Sequence, residues 1–183
     1  MIDEEKTLNR IKKLIEEGKT EEATMIIRER IRNNEKPHFC FKYFYYLAEI
    51  HEQEKNFTSA FKQIEESKNQ IDLLIQRNYS FNLEEIILCT NCYIKLTRHY
   101  LRRNMIKDSG QCLELAKEFY EKVNDKDKTL KEKNEIELLF KQINDQAKEN
   151  EIQNKENEEK QFQILISQSI EEGNKLMKQK KYA

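Results

Sequence analysis

The chain is 183 residues long and nearly neutral, with 33 Lys and Arg against 34 Asp and Glu, and 37% of it is charged. That length suits one domain with a core, and the charge balance argues against a globally basic nucleic-acid binder while leaving room for a local patch. Three Gly and one Pro argue against sandwiches, barrels and glycine-rich phosphate loops, and favour helices joined by short polar turns.

The first residues, Met1 to Lys6, are acidic and lack the apolar segment of a secretory signal, and no apolar run reaches the length of a membrane span. The expectation is a soluble cytoplasmic protein. Cys40, Cys89, Cys92 and Cys112 are accordingly read as buried free thiols, not a disulfide framework.

In chain order, helices are expected over 4–17 and 20–33, with Ile11, Leu14 and Ile15 on one face and Ala23, Ile26 and Ile27 on the next. Between them Gly18 supplies a left-handed cap and Thr20 an N-cap. Pro37 opens a helix over 38–54, where its missing donor costs nothing. Phe44, Leu47, Ala48 and His51 lie at helical spacing there. Its aromatic run, Phe39 to Tyr46, is too dense for one face, so Phe44 and Phe41 are assigned to the core and Tyr43, Tyr45 and Tyr46 are not all expected there, the plainest reading of the run being flanking helices on both sides. Glu54, Lys55 and Asn56 break the pattern, and a helix over 57–77 follows with Phe57, Ala60, Phe61 and Ile64.

Asn82 with Glu85 reads as a capping box for a long helix over 82–103, which carries Ile86, Cys89, Cys92, Tyr93, Leu96 and Tyr100. A return helix over 106–123 carries Ile106, Ser109, Leu113 and Ala116. These pieces repeat. A small residue enters each second helix at Ala23, Ala60 and Ser109, with an apolar residue four further on (Ile27, Ile64, Leu113) and Leu14, His51 and Tyr100 nine before. The steps of 37 and 49 residues describe irregular helix-turn-helix repeats, which bury their faces only by stacking.

Beyond 124 the composition changes. Thr129 and Glu132 suggest a cap for a helix over 129–148 with Ile136, Leu139, Phe140 and Ile143. Residues 148–160 are almost free of large apolar side chains, either an exposed extension of that helix or a link. Their lack of a seam argues against a sustained coiled coil. A last helix is expected over 161–180, with Phe162, Ile164, Leu165 and Ile170.

Leu47, Ala48, His51, Phe57, Ala60, Ile64 and Ser67, and more so the closing stretch Gly173 to Ala183, resemble tetratricopeptide repeats. That closing stretch is similar to a repeat start in co-chaperone-type members, with Gly173 as the close-packing position, Leu176 the large one and Tyr182 the turn aromatic. The match is degenerate: Thr7 stands where a large residue is usual, and Pro37 lies two residues late. The resemblance implies an all-α, TPR-like right-handed superhelix over 1–123, a charged helix or linker over 124–160, and the first helix of a further, incomplete repeat over 161–183. On that reading the chain is a piece of a longer array, or another element caps its last helix.

The resemblance also implies a concave groove lined by the first helices, with Glu5, Lys12, Lys42, Tyr45, Glu49, Asn91, Ile94, Arg98 and Arg102 facing a partner. Of the clamp that chaperone-binding members use on a C-terminal carboxylate, Arg98 and Asn174 match, while Leu8, Lys12, Ile94 and Ile170 occupy the positions where Lys, Asn, Lys and Lys are expected, so the clamp is incomplete.

The residues themselves offer little catalytic chemistry. Cys89 and Cys92 form a CxxC inside a helix, where a packed small hydrophobe outweighs a redox or zinc role. No Ser/His/Asp or paired-carboxylate arrangement stands out among the abundant acids, so no enzyme, no cofactor and no metal are expected. Arg98 and Arg102 lie one turn apart and could jointly hold carboxylates, with Tyr45 and Ile94 as apolar anchors.

The function expected is a protein-binding scaffold that takes an acidic or extended partner segment in its groove, self-association being open through the incomplete closing repeat. The alternative is a structural subunit of a cytoskeletal or ciliary assembly, held by its convex face and the charged helix. RNA binding through Arg98, Arg102, Arg103 and Lys107 is the weaker third reading.

Overall fold

The computed structural model of the chain describes residues 2–33, 36–123 and 129–180. Among them are seven helices and no strand: α1 (Ile2–Glu16), α2 (Thr20–Asn33), α3 (Pro37–Gln53), α4 (Phe57–Gln76), α5 (Leu83–Arg102), α6 (Ile106–Glu121) and α7 (Leu130–Lys180). The chain divides into two compact units, Met1–Lys141 and Gln142–Ala183.

In the first unit, α1 packs on α2, α3 on α4 and α5 on α6; α2 then meets α3, α4 meets α5, and the first helices α1, α3 and α5 lie side by side. The turns explain this regularity. Each hairpin turn has one residue of positive φ: Gly18 at 74°, Lys55 at 59° and Asn104 at 57°. In each, the next residue's amide reaches back to the helix, from Lys19 to the Leu14 carbonyl, Asn56 to His51 and Met105 to Tyr100. This six-to-one bond, with its inner partner (Gly18 to Ile15, Lys55 to Glu52, Asn104 to Leu101), is the Schellman closure that satisfies the last carbonyls of a helix. The residues that match nine places ahead of the small ones are thus the carbonyl acceptors of the turn. Asn78 at φ 51° ends α4 in the same way.

Five residues past each left-handed position stand Ala23, Ala60 and Ser109, all fully buried, and Ile27, Ile64 and Leu113 lie buried one turn later. A small side chain at that point lets the two helices of a hairpin approach closely. Pro37 occupies the first turn of α3, and Asn82 with Glu85 makes a complete capping box on α5. Thr20 is the first residue of α2, not its cap: the Lys19 carbonyl already accepts the first helical bond, from Ala23.

The aromatic helix departs from expectation. Tyr43, Tyr45 and Tyr46 are all buried, together with Cys40, Phe41, Leu47, Ala48 and Ile50, while Phe44 and His51 are only half-buried. Helix α3 touches α1, α2, α4 and α5, so almost its whole circumference is core. A helix apolar all round is one that neighbours surround.

Helix α7 also differs: the segments expected at 129–148 and 161–180 form one helix, and 148–160 continues it. No Gly or Pro interrupts the sequence between 131 and 172, and Lys155 supports the helix by an i,i+4 pair with Glu151 at 2.7 Å. Within the first unit its opening turns bury Glu132, Ile136 and Leu139. In the second unit every residue from 151 to 169 is exposed. The closing-repeat positions at Ile170, Gly173, Asn174, Leu176 and Tyr182 lie outside the residues whose side chains are described.

Candidate functional site

The adjacent faces of α1, α3 and α5 enclose a cleft of about 220 Å³. Its floor is α3, which contributes His38, Phe39, Lys42 and Tyr46; Glu5, Leu8 and Lys12 of α1 form one wall, and Glu84, Glu85 and Leu88 of α5 the other. The left-handed Asn78 returns Tyr79 over the end of the cleft, where its ring stacks on His38 with centroids 5.7 Å apart and planes at 17°. Lys12 reaches Glu84 at 3.0 Å, an exposed bridge from α1 to α5.

Glu85 is the polar anchor of this wall. It is nearly inaccessible, closes the capping box to the Asn82 amide at 3.0 Å, pairs with Lys42 at 2.8 Å and accepts from the Tyr79 hydroxyl at 3.3 Å. A buried carboxylate of this kind is tolerated because each of its oxygens has a donor. Burial pushes the His38 imidazole below its usual range, and the Glu85 charge works against that. The cleft therefore presents aromatic surface beside the Lys12–Glu84 and Lys42–Glu85 pairs.

A second cluster joins α3 to α5. Lys95 pairs with Glu52 and, at 3.9 Å, with Glu49, and its ammonium lies 5.6 Å from the Tyr45 ring centroid. Glu52 also meets His99 Nε2 at 3.4 Å. Desolvation raises the Glu52 pKa, but the hydrogen bonds from His99 and Lys95 prevail and hold it down at about 2. Burial raises the Glu49 carboxyl and pushes the Tyr45 hydroxyl far up. Sequence reasoning missed Lys95, Glu52 and His99. The signal lay in spacing: Glu49 and Glu52 are three apart and Lys95 and His99 four apart, so each pair shares a helix face.

The remaining face of α5 meets α7. Asn91 Nδ2 donates to Glu132 at 3.2 Å, and Arg98 pairs with Glu135. Ile94, between them on the same face, is 1% exposed. Glu132, Glu135, Ile136 and Leu139 fall at one helical spacing, so the buried side of these α7 turns is the side that meets α5. Glu132 thus reaches across to Asn91.

The residues expected to line one groove are distributed among three places. Lys42, with Glu5 and Lys12, lines the cleft; Tyr45 and Glu49 belong to the Lys95 cluster; Asn91, Ile94 and Arg98 lie against the chain's own α7. Arg102 sits over the Phe57 ring at 5.1 Å, with Arg103 over Phe61 at 3.7 Å. Of the two guanidinium groups, Glu135 pairs with that of Arg98 and the Phe57 ring lies under that of Arg102.

The CxxC pair is fully buried, and burial drives both thiols upward, Cys92 to about 12. Cys92 Sγ lies 3.8 Å from the Ile64 carbonyl. A reactive thiolate needs the opposite environment. No protein-family model matches the chain, and comparison with curated proteins and with solved structures likewise finds no match.

Proposed function

We propose that this chain is a non-enzymatic scaffold that holds a segment of a partner protein across the faces of its first helices. The observation that carries the reading is the cleft between α1 and α5 over α3, where aromatic side chains and paired charges surround an open concave space. Such a surface offers apolar contact to a partner's side chains and charged rims to orient them. We read the three hairpins as degenerate tetratricopeptide-like repeats, a view supported by their shared left-handed turns and buried small residues. Among the described residues no helix is long and apolar enough to cross a membrane.

The cleft, not the Arg98 face, is the partner surface on this reading, because Ile94 and Tyr45 are already buried and Arg98 is already paired. The test is capture of partners from native extract by the wild type, by Glu5→Lys/Lys12→Glu at the cleft mouth and by Arg98→Glu/Arg102→Glu. A partner lost only by the cleft variant supports the assignment. Partners kept equally by both variants overturn it. The exposed helix over 151–169 favours a second reading, a structural subunit that joins its assembly through α7.

A further inference from the structure

We propose that α7 pairs with α7 of a second copy, antiparallel, along a seam centred on Leu165 and Ile166. In residues 151–169 every side chain is exposed, including Phe162 at 63%, Leu165 at 59% and Ile166 at 39% on one side of the helix and Ile164 at 56% on another. Phe162, Leu165, Ile166 and Ser169 share one side of the helix at three-and-four spacing. Ser169 turns its hydroxyl back to the Leu165 carbonyl at 2.9 Å, which satisfies it and keeps that part of the seam low. A long helix without neighbours draws little stability from its own turns, since most helical stability comes from packing an apolar face. Within 151–169 the i,i+4 ion pair of Lys155 with Glu151 is a minor support.

The charge pattern selects the occupant and its direction. Residues 151–159 carry Glu151, Glu156, Glu158 and Glu159 against Lys155, a net −3, while 172–180 carry Lys175, Lys178 and Lys180 against Glu172, a net +2. These stretches lie at equal distances on either side of Leu165 and Ile166. An antiparallel copy sets the acidic stretch of each helix beside the basic stretch of the other, twice over. A parallel copy would set acid on acid and base on base. The helix is thus complementary to itself in one direction only.

Sedimentation of the full chain across a concentration series tests the pairing. The wild type should reach the mass of two chains, and Phe162→Glu/Leu165→Glu should weaken that association at least about tenfold, since each copy then buries two unpaired carboxylates in the seam. An unchanged thermal transition in that variant shows that the first unit is intact. Reversal of Glu156, Glu158 and Glu159 to Lys should weaken the dimer, and further change of Lys175, Lys178 and Lys180 to Glu should restore it. A wild type that stays monomeric overturns the proposal and leaves the seam to a different molecule. A dimer indifferent to the apolar pair, or to the charge reversal, overturns the seam or its direction.

Discussion

Gly18 and Lys55 hold the same left-handed backbone conformation, φ 74° and 59°, each five residues ahead of the fully buried alanine that enters its second helix, Ala23 and Ala60. The turn geometry is common to the hairpins, but only the first uses the residue without a Cβ. Lys55→Gly should therefore stabilise the protein by about 0.5–1 kcal/mol, the left-handed strain relieved less the extra chain entropy of glycine. Gly18→Ala should cost about 1 kcal/mol for the converse reason, although a Cβ there meets nothing within 4 Å. Urea unfolding of both variants checks the pair, and a Lys55→Gly midpoint at or below wild type would refute the strain argument.

Ala60 is fully buried where α3 and α4 approach. Ala60→Leu should force the hairpin apart and cost about 1–3 kcal/mol or more, whereas Ala60→Ser should cost far less. The same contrast is expected at Ala23. Equal losses for Leu and Ser, measured by thermal unfolding, would mean that the polarity of the site and not its size sets the limit.

Lys42 and Glu85 are both largely withdrawn from water, with side-chain exposures of 13% and 3%. Removal of one charge strands the other, so Glu85→Gln should destabilise by about 3 kcal/mol, more than a surface pair could. Lys42→Met combined with Glu85→Gln should recover part of that loss. A strictly additive double-mutant cycle would show that the two side chains do not couple.

The Glu52 cluster carries a pH dependence of definite sign. Its carboxyl has an ordinary value of 4.5 and sits at about 2 in the folded chain, so the folded state binds its proton less readily than the unfolded state. The stabilisation is complete above about pH 4.5 and disappears as pH falls toward 2, amounting to about 2–3 kcal/mol at neutrality. The difference in unfolding free energy between wild type and Glu52→Gln should shrink across that window. A difference that stays constant from neutral pH to pH 2 would remove Glu52 as its source.

Arg98 and Glu135 tie α5 to the opening turns of α7. The arginine is half-exposed, so the pair itself contributes no more than about 1 kcal/mol, but it joins the Asn91–Glu132 bond in linking these turns to α5. Arg98→Glu should raise amide exchange at 130–141 severalfold while α1 to α4 keep their protection, and adding Glu135→Arg should reverse it. Exchange that rises throughout the first unit would instead make these turns part of its single cooperative core.

Much of the architecture was legible because its determinants are local. Gly18, the break at Glu54 to Asn56 and the Asn82 and Glu85 box act within a few residues of themselves, and so the helix bounds and the repeat of Ala23, Ala60 and Ser109 follow from spacing alone. The continuity of α7 was less legible, since a polar stretch without breakers fits both a helix and a link.

Alone, the sequence determined that this chain is a series of helical hairpins with small residues at their close approaches, because turn chemistry and apolar periodicity are encoded residue by residue. Only the tertiary structure decided which faces remain open. Tyr45 and Ile94 carry groove-like spacing, yet Lys95 covers the first and the second is buried on the face that meets α7, while Glu5, Lys12 and Lys42 surround the space that is left. That outcome depends on which neighbour reaches a face first, a competition among helices distant in sequence that no local pattern records.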